Sequence, residues 1–150
     1  MDLQLTRRGD YAVRAAIGLA KGGGAGEFRK LREVAEEMGI PLNYTQEILT
    51  LLMRAGLAEA RAGKGGGYRL LKRADDITLL EIVEAAEGPL RLERCTLSGG
   101  PCRREETVCA VHASWEQANE AFASALRARR LAKIVDLDGR NSSQRSQARR

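Results

Sequence analysis

The sequence predicts a mainly α-helical fold with one small β-hairpin, on three observations. Apolar residues recur at three- and four-residue spacing over several separate stretches, the pattern of helices that bury one face. Two short strand-like runs, 57–61 and 68–71, flank Gly63-Lys64-Gly65-Gly66-Gly67, where glycine lets the backbone turn sharply. Just ahead of that hairpin, two short helices are separated by little more than Gly39-Ile40-Pro41. Helix, turn, helix and hairpin in this order make a winged helix-turn-helix, and a long C-terminal helix follows it.

Thr6 is placed to cap a first helix over 7–21, whose apolar face is Tyr11, Ala12, Ala15, Ala16 and Leu19. Arg7, Arg8 and Arg14 fall outside that face, able to reach phosphates or simply to be solvated. Leu31, Val34, Ala35 and Met38 form the stripe of the second helix, stopped by Gly39 and then Pro41. Asn43 reads as the cap of the third helix, with Gln46 three residues on as in a capping box. Its buried stripe reads as Ile48, Leu51, Leu52 and Ala55, and Gly56 ends it. Tyr44, Thr45 and Gln46 are then left facing outward, with Thr50 a turn later.

Those residue types suit double-stranded DNA. Gln can make paired hydrogen bonds to adenine, and Thr can touch a thymine methyl or a phosphate. Arg61, Lys64 and Arg69 add positive charge to the hairpin. The glycine run is not a nucleotide-binding loop, because no Gly-Lys-Ser/Thr opens a helix there. Thr78, with Glu81 three residues later, opens a fourth helix with the stripe Leu79, Ile82, Val83 and Ala86, which ends at Gly88-Pro89.

The composition then changes. All three cysteines lie within LRLERCTLSGGPCRREETVCAVH, as Cys95, Cys102 and Cys109 at C-x6-C-x6-C, and the sole histidine, His112, follows three residues after the last. Gly99, Gly100 and Pro101 predict a loop rather than a helix. Three thiols in a chain expected to be cytoplasmic argue against a disulfide scaffold. Their even spacing fits a loop wrapped around a thiophilic centre, an iron–sulfur cluster or zinc, with free buried cysteines as the plainer alternative. Arg94, Arg103 and Arg104 would favour the thiolate forms.

Trp115, Ala118, Phe122, Ala125 and Leu126 repeat at helical spacing over about 113–128. That face either joins the core or pairs with the same helix of a second chain. A two-fold dimer would set two reading helices about one turn of DNA apart, as a palindromic operator requires. A short helix over 130–137 and a disordered basic tail over 138–150 complete the chain. The organisation expected is thus a DNA-binding domain over 1–88, a cysteine loop over 89–112, dimerisation and terminal helices over 113–137, and the tail.

Charge supports this division. The net charge is +5, made of +5 over residues 1–73, −4 over 74–138 and +4 over 139–150, so positive charge concentrates in the half expected to meet phosphates. No run of eighteen apolar residues exists for a membrane span and no signal core opens the chain, so a cytoplasmic location is expected. A lone histidine with no nucleophile motif argues against an enzyme.

Taken together, LTRRGDYAVRA at 5–15, LREVAEEMGIPLNYTQEILTLLMRAGL at 31–57, GGGYRL at 65–70 and ITLLEIVEAAEG at 77–88 resemble the bacterial Rrf family of regulators, including its IscR-like and NsrR-like branches. The resemblance implies a dimeric winged-helix transcription factor, often a repressor, that senses redox state, nitric oxide or iron through a [2Fe–2S] or [4Fe–4S] cluster. It maps Cys95, Cys102 and Cys109 onto the cluster cysteines, with x6/x6 spacing where the IscR-like branch has x5/x5. His112 falls where that branch has its non-cysteine ligand and is favoured; Asp10, supplied by the partner chain, matches the carboxylate of the NsrR-like branch. The wing departs from the family, since Ala62 separates Arg61 from the glycines. The alternative is a winged-helix regulator that uses zinc or thiol redox chemistry. By the same reading Asn43, Tyr44, Thr45, Gln46, Thr50, Arg61, Lys64, Arg7 and Arg8 contact DNA, and Trp115, Ala118, Phe122 and Leu126 form the dimer interface.

Overall fold

A computed structural model describes residues 5–22, 26–90 and 111–147, with side chains described as far as Arg140. The helices are α1 (Arg7–Lys21), α2 (Leu31–Met38), α3 (Leu42–Arg54), α4 (Leu79–Glu87), α5 (His112–Arg127) and α6 (Leu131–Gln147), and the hairpin is β1 (Ala58–Arg61) with β2 (Gly67–Leu70). This is the helical fold with a small wing that the sequence predicts.

Helix α1 lies at the centre because its face is made of small residues. Ala12, Ala15, Ala16 and Leu19 are buried to within a percent of complete, so α2, α3, α4 and α6 can all approach it. Thr6 caps it as expected, its hydroxyl accepting from the Gly9 N–H at 3.4 Å. The turn between α2 and α3 rests on Gly39, whose φ of 63° is a left-handed conformation that favours glycine. The core is aliphatic: Leu19, Ile48, Leu49, Leu52, Leu70, Ile77, Ile82 and Leu131 are its largest fully buried side chains.

The hairpin is antiparallel, with Glu59 opposite Arg69 and Arg61 opposite Gly67. A third segment extends it: Arg29 and Tyr68 exchange both backbone hydrogen bonds at 2.8 Å. The start of α4 is fixed by Thr78 and Glu81, which form the expected capping box. The α5–α6 corner is tied to that start, because Leu79 N donates to Arg129 O at 2.8 Å and Leu131 N to Ile77 O at 2.9 Å.

Four expectations are corrected. Helix α3 begins at Leu42 after Pro41, so Asn43 lies inside the first turn, and no side chain caps the helix. Its buried stripe is Thr45, Ile48, Leu49 and Leu52; Ala55 is exposed and Leu51 half-buried. In α4 it is Leu80 that is buried, while Leu79 is half-buried. Finally, the expected short helix and the described part of the expected disordered tail are one helix, α6, running to Gln147. Arg, Gln and Ser propagate a helix already nucleated on the core at Leu131, and Gly139 does not stop it. Among the described residues no helix is long and apolar enough to cross a membrane.

Candidate nucleic-acid interface and sensor residues

The second helix of the helix-turn-helix, α3, presents Asn43, Tyr44 and Gln46 to solvent. Thr50 is half-buried, and its hydroxyl donates to the Gln46 carbonyl at 2.8 Å. Thr45, expected beside them, is fully buried. Its hydroxyl donates to the Pro41 carbonyl at 3.1 Å, which satisfies its polar atom within the helix and frees its methyl to pack. It belongs to the core and not to the reading face.

A residue that sequence reasoning missed shares the exposed face of Asn43 and Gln46. Glu47 is exposed, one turn after Asn43 and next to Gln46. The signal was available, since positions 43, 46 and 47 share a face by the i, i+3, i+4 rule. Its carboxylate lies 3.7 Å from Arg8 Nε, with both side chains about half exposed. Arg8 thereby offsets a negative charge that would repel phosphate. Tyr44 packs on Tyr11 of α1 with ring centroids 5.6 Å apart and planes tilted by 56°. Arg7, Arg8, Tyr44 and Glu47 therefore line one open cleft where the first turns of α1 and α3 meet the end of α4.

On the wing, Lys64 is exposed at the tip and pairs with no carboxylate among the described residues. Arg61 is engaged within the wing, donating from Nη2 to the Gly65 carbonyl at 3.0 Å.

Comparison with known proteins decides the family. Residues 5–137 match the Rrf2 family model, described as an iron-dependent transcriptional regulator. The chain belongs to the Rrf2 family of transcriptional regulators. Among Rrf2-type relatives it is 30% identical to the HTH-type transcriptional regulator IscR of Enterobacter sp. (strain 638), over 97% of this chain and 91% of that protein. It is 31% identical to the IscR of Escherichia coli K12, over 89% of this chain and 81% of that protein. The structure of T. potens IscR superposes with a TM-score of 0.71 at 26% identity, covering 91% of this chain and 88% of that one. CymR of B. subtilis, named as its global cysteine regulator, shares the fold with a TM-score of 0.73 at 24% identity, covering 91% and 98%. DNA binding and transcription regulation follow from the family, and these relatives are regulators rather than enzymes.

The residues expected to form a sensor divide by position. Cys95, Cys102 and Cys109 lie outside the described residues. His112 is the first residue of α5, and its Nε2 lies 3.8 Å from Glu116 Oε2 one turn on. Asp10, on α1, is held by Arg14 at 3.0 Å and 3.1 Å. Of the expected interface residues on α5, Trp115, Phe122 and Leu126 are half-buried and Ala118 is exposed; only Ala123 of that helix is buried.

Proposed function

We propose that this Rrf2-family regulator is a homodimer that reports redox state, nitric oxide or iron through an iron–sulfur cluster held by Cys95, Cys102 and Cys109. The observation that carries the reading is the position of the donors. All three thiols and the single histidine fall in one stretch, and its last member, His112, opens α5. Three thiolates and an imidazole are a donor set suited to such a cluster, and the family description as iron-dependent agrees. When bound, the cluster would supply an oxidisable, nitrosylatable centre whose state depends on iron supply. His112 is preferred as fourth ligand because it follows Cys109 by three residues in the same stretch, whereas Asp10 would come from the partner chain.

Helix α5 supports the dimer. It is sixteen residues long with one buried side chain, while Trp115, Phe122 and Leu126 line one stripe with Ala118 beside them. Covering that stripe with its symmetry mate would orient two α3 helices for a palindromic operator in double-stranded DNA. In this reading residues 1–88 bind DNA, 89–112 sense and the first part of the remainder dimerises, with Asn43, Tyr44, Gln46, Thr50, Arg7, Arg8, Arg61 and Lys64 at the DNA surface.

Anaerobic purification with an absorption spectrum and iron and sulfide analysis tests the cluster. The reading expects charge-transfer bands with matched iron and sulfide, lost in Cys102→Ala. A full complement of iron and sulfide in Cys102→Ala would refute the ligand assignment. A colourless chain that resists reconstitution and holds one zinc would move the sensor to zinc or thiol chemistry.

A further inference from the structure

Arg61 follows a different design from a free wing arginine. Glu59, Arg61 and Arg69 share one face of the hairpin, because Glu59 pairs with Arg69 and side chains alternate along each strand. Gly67 stands opposite Arg61, leaving a gap on that face. Its φ of 146° and its approach to the Arg29 carbonyl leave no room for a Cβ. The 28–29 segment runs along the free edge of β2, paired through Arg29 and Tyr68. Phe28 therefore turns to the face opposite Arg29. There the Arg61 guanidinium carbon lies 4.2 Å from its ring centroid and that of Arg69 lies 4.5 Å away. Two cations on one ring repel each other. The repulsion is offset by Glu59, 2.5 Å from Arg69 Nε, and by the Gly65 carbonyl bound to Arg61.

The geometry points to Phe28 as the positioning residue of the wing. It locks Arg61 and Arg69 into a stacked base, Arg61 in turn holds the 62–66 loop through Gly65, and Lys64 is left as the tip cation delivered to a phosphate. This rests on the reading that the wing tip touches DNA. It reassigns Arg61 from direct contact to support.

The test is binding to a 25-base-pair duplex of mixed sequence, followed by anisotropy as a function of salt. Lys64→Ala is expected to reduce the slope of log affinity against log salt by about one, the loss of one phosphate contact. Phe28→Leu is expected to weaken binding about fivefold and reduce the slope by a similar amount, while Phe28→Tyr stays near wild type. Because both changes act at Lys64, the double variant should lose little more than either single one. Losses that add in full, or a wild-type slope in Phe28→Leu, would overturn the role of Phe28 while sparing the wing contact. A wild-type slope in Lys64→Ala would overturn the contact itself and this inference with it. If Phe28→Leu does not fold by circular dichroism, Arg61→Lys replaces it. That variant keeps the charge but loses the planar stack, and it should show the same slope loss; wild-type binding there would refute the proposal.

Discussion

Gly9→Ala should change the sign of its effect on stability according to what stands at position 87. Glu87, at the end of α4, accepts from the Thr6 N–H at 3.0 Å and the Thr6 hydroxyl at 2.7 Å, fastening α4 to the N-terminus of α1. A carboxylate also suits the positive end of the α1 dipole. A Cβ at Gly9 would collide with Glu87 Oε1 and lie 3.3 Å from Glu87 Cδ, so Ala forces the carboxylate off its donors. Hydrogen bonds to a charged group contribute about 1.5–3 kcal/mol when buried. Thr6 and Glu87 are exposed, which reduces the clamp to about 1 kcal/mol. Against this, Ala in place of Gly in a helix gains about 0.5 kcal/mol in a first turn. With Glu87 present, Gly9→Ala should destabilise by about 0.5 kcal/mol. In a Glu87→Ala background it should stabilise by about the same, a coupling of about 1 kcal/mol. Urea denaturation of the four proteins by circular dichroism reads this as opposite midpoint shifts at constant slope. Equal shifts in both backgrounds would refute the clamp.

Three further outcomes follow from the same contacts. Burial pushes the Glu81 carboxyl up, but the Thr78 N–H, the Lys72 ammonium and the Thr78 hydroxyl together outweigh it and hold it below its ordinary value. The stability it contributes is therefore complete above the unfolded-state value and lost as pH falls through the folded one. The midpoint gap between wild type and Glu81→Gln, about 1 kcal/mol at neutral pH, should close on acidification, and a gap that stays constant would contradict the assignment. Leu49→Ala, at a fully buried position on α3, should cost about 2–5 kcal/mol in chemical denaturation, whereas Ala55→Ser, at an exposed one, should stay within about 0.5 kcal/mol. Gln46→Ala should relax base preference at one operator position by about 1–3 kcal/mol in competition binding, with binding to mixed-sequence DNA unchanged.

Where one residue type carried one physical signal, the sequence was legible. Thr6 and the Thr78–Glu81 pair are caps in the structure because a hydroxyl ahead of an apolar stripe has few other uses. The α3 face was harder. Its buried set, Thr45, Ile48, Leu49 and Leu52, is a clean i, i+3, i+4, i+7 pattern, but its first member is polar. Reading only apolar residues shifts the stripe toward Ala55 and leaves Thr45 on the wrong side. A hydroxyl bonded back to its own helix is what makes Thr acceptable in the core, and composition does not display that bond. The packing of Arg61 and Arg69 on Phe28 joins residues about thirty to forty apart in sequence and had no local signature. The far end of α6 escaped notice because its sequence has no apolar periodicity to announce a helix.

Magnitudes also limit how a signal at the cysteines, if they sense as proposed, can reach the DNA. A continuous route exists: Glu87, just before the segment, holds Thr6; Thr6 caps α1; and Arg8 on α1 meets Glu47 on α3. Its last link is an ion pair at 3.7 Å between half-exposed groups, worth at most about 1 kcal/mol. Regulation of operator affinity by 5–150-fold requires about 1–3 kcal/mol of coupling, more than this link can transmit alone. The packed contacts of α1 with α3 and α4 are far stiffer, since Ala12, Ala15, Leu19, Ile48, Leu49 and Ile82 are buried almost completely. The described residues 5–22 and 26–90 should therefore move as one body. In the proposed dimer, a change in the segment that ends at His112 would act through α5, re-aiming two rigid DNA-binding units relative to each other rather than reshaping either α3.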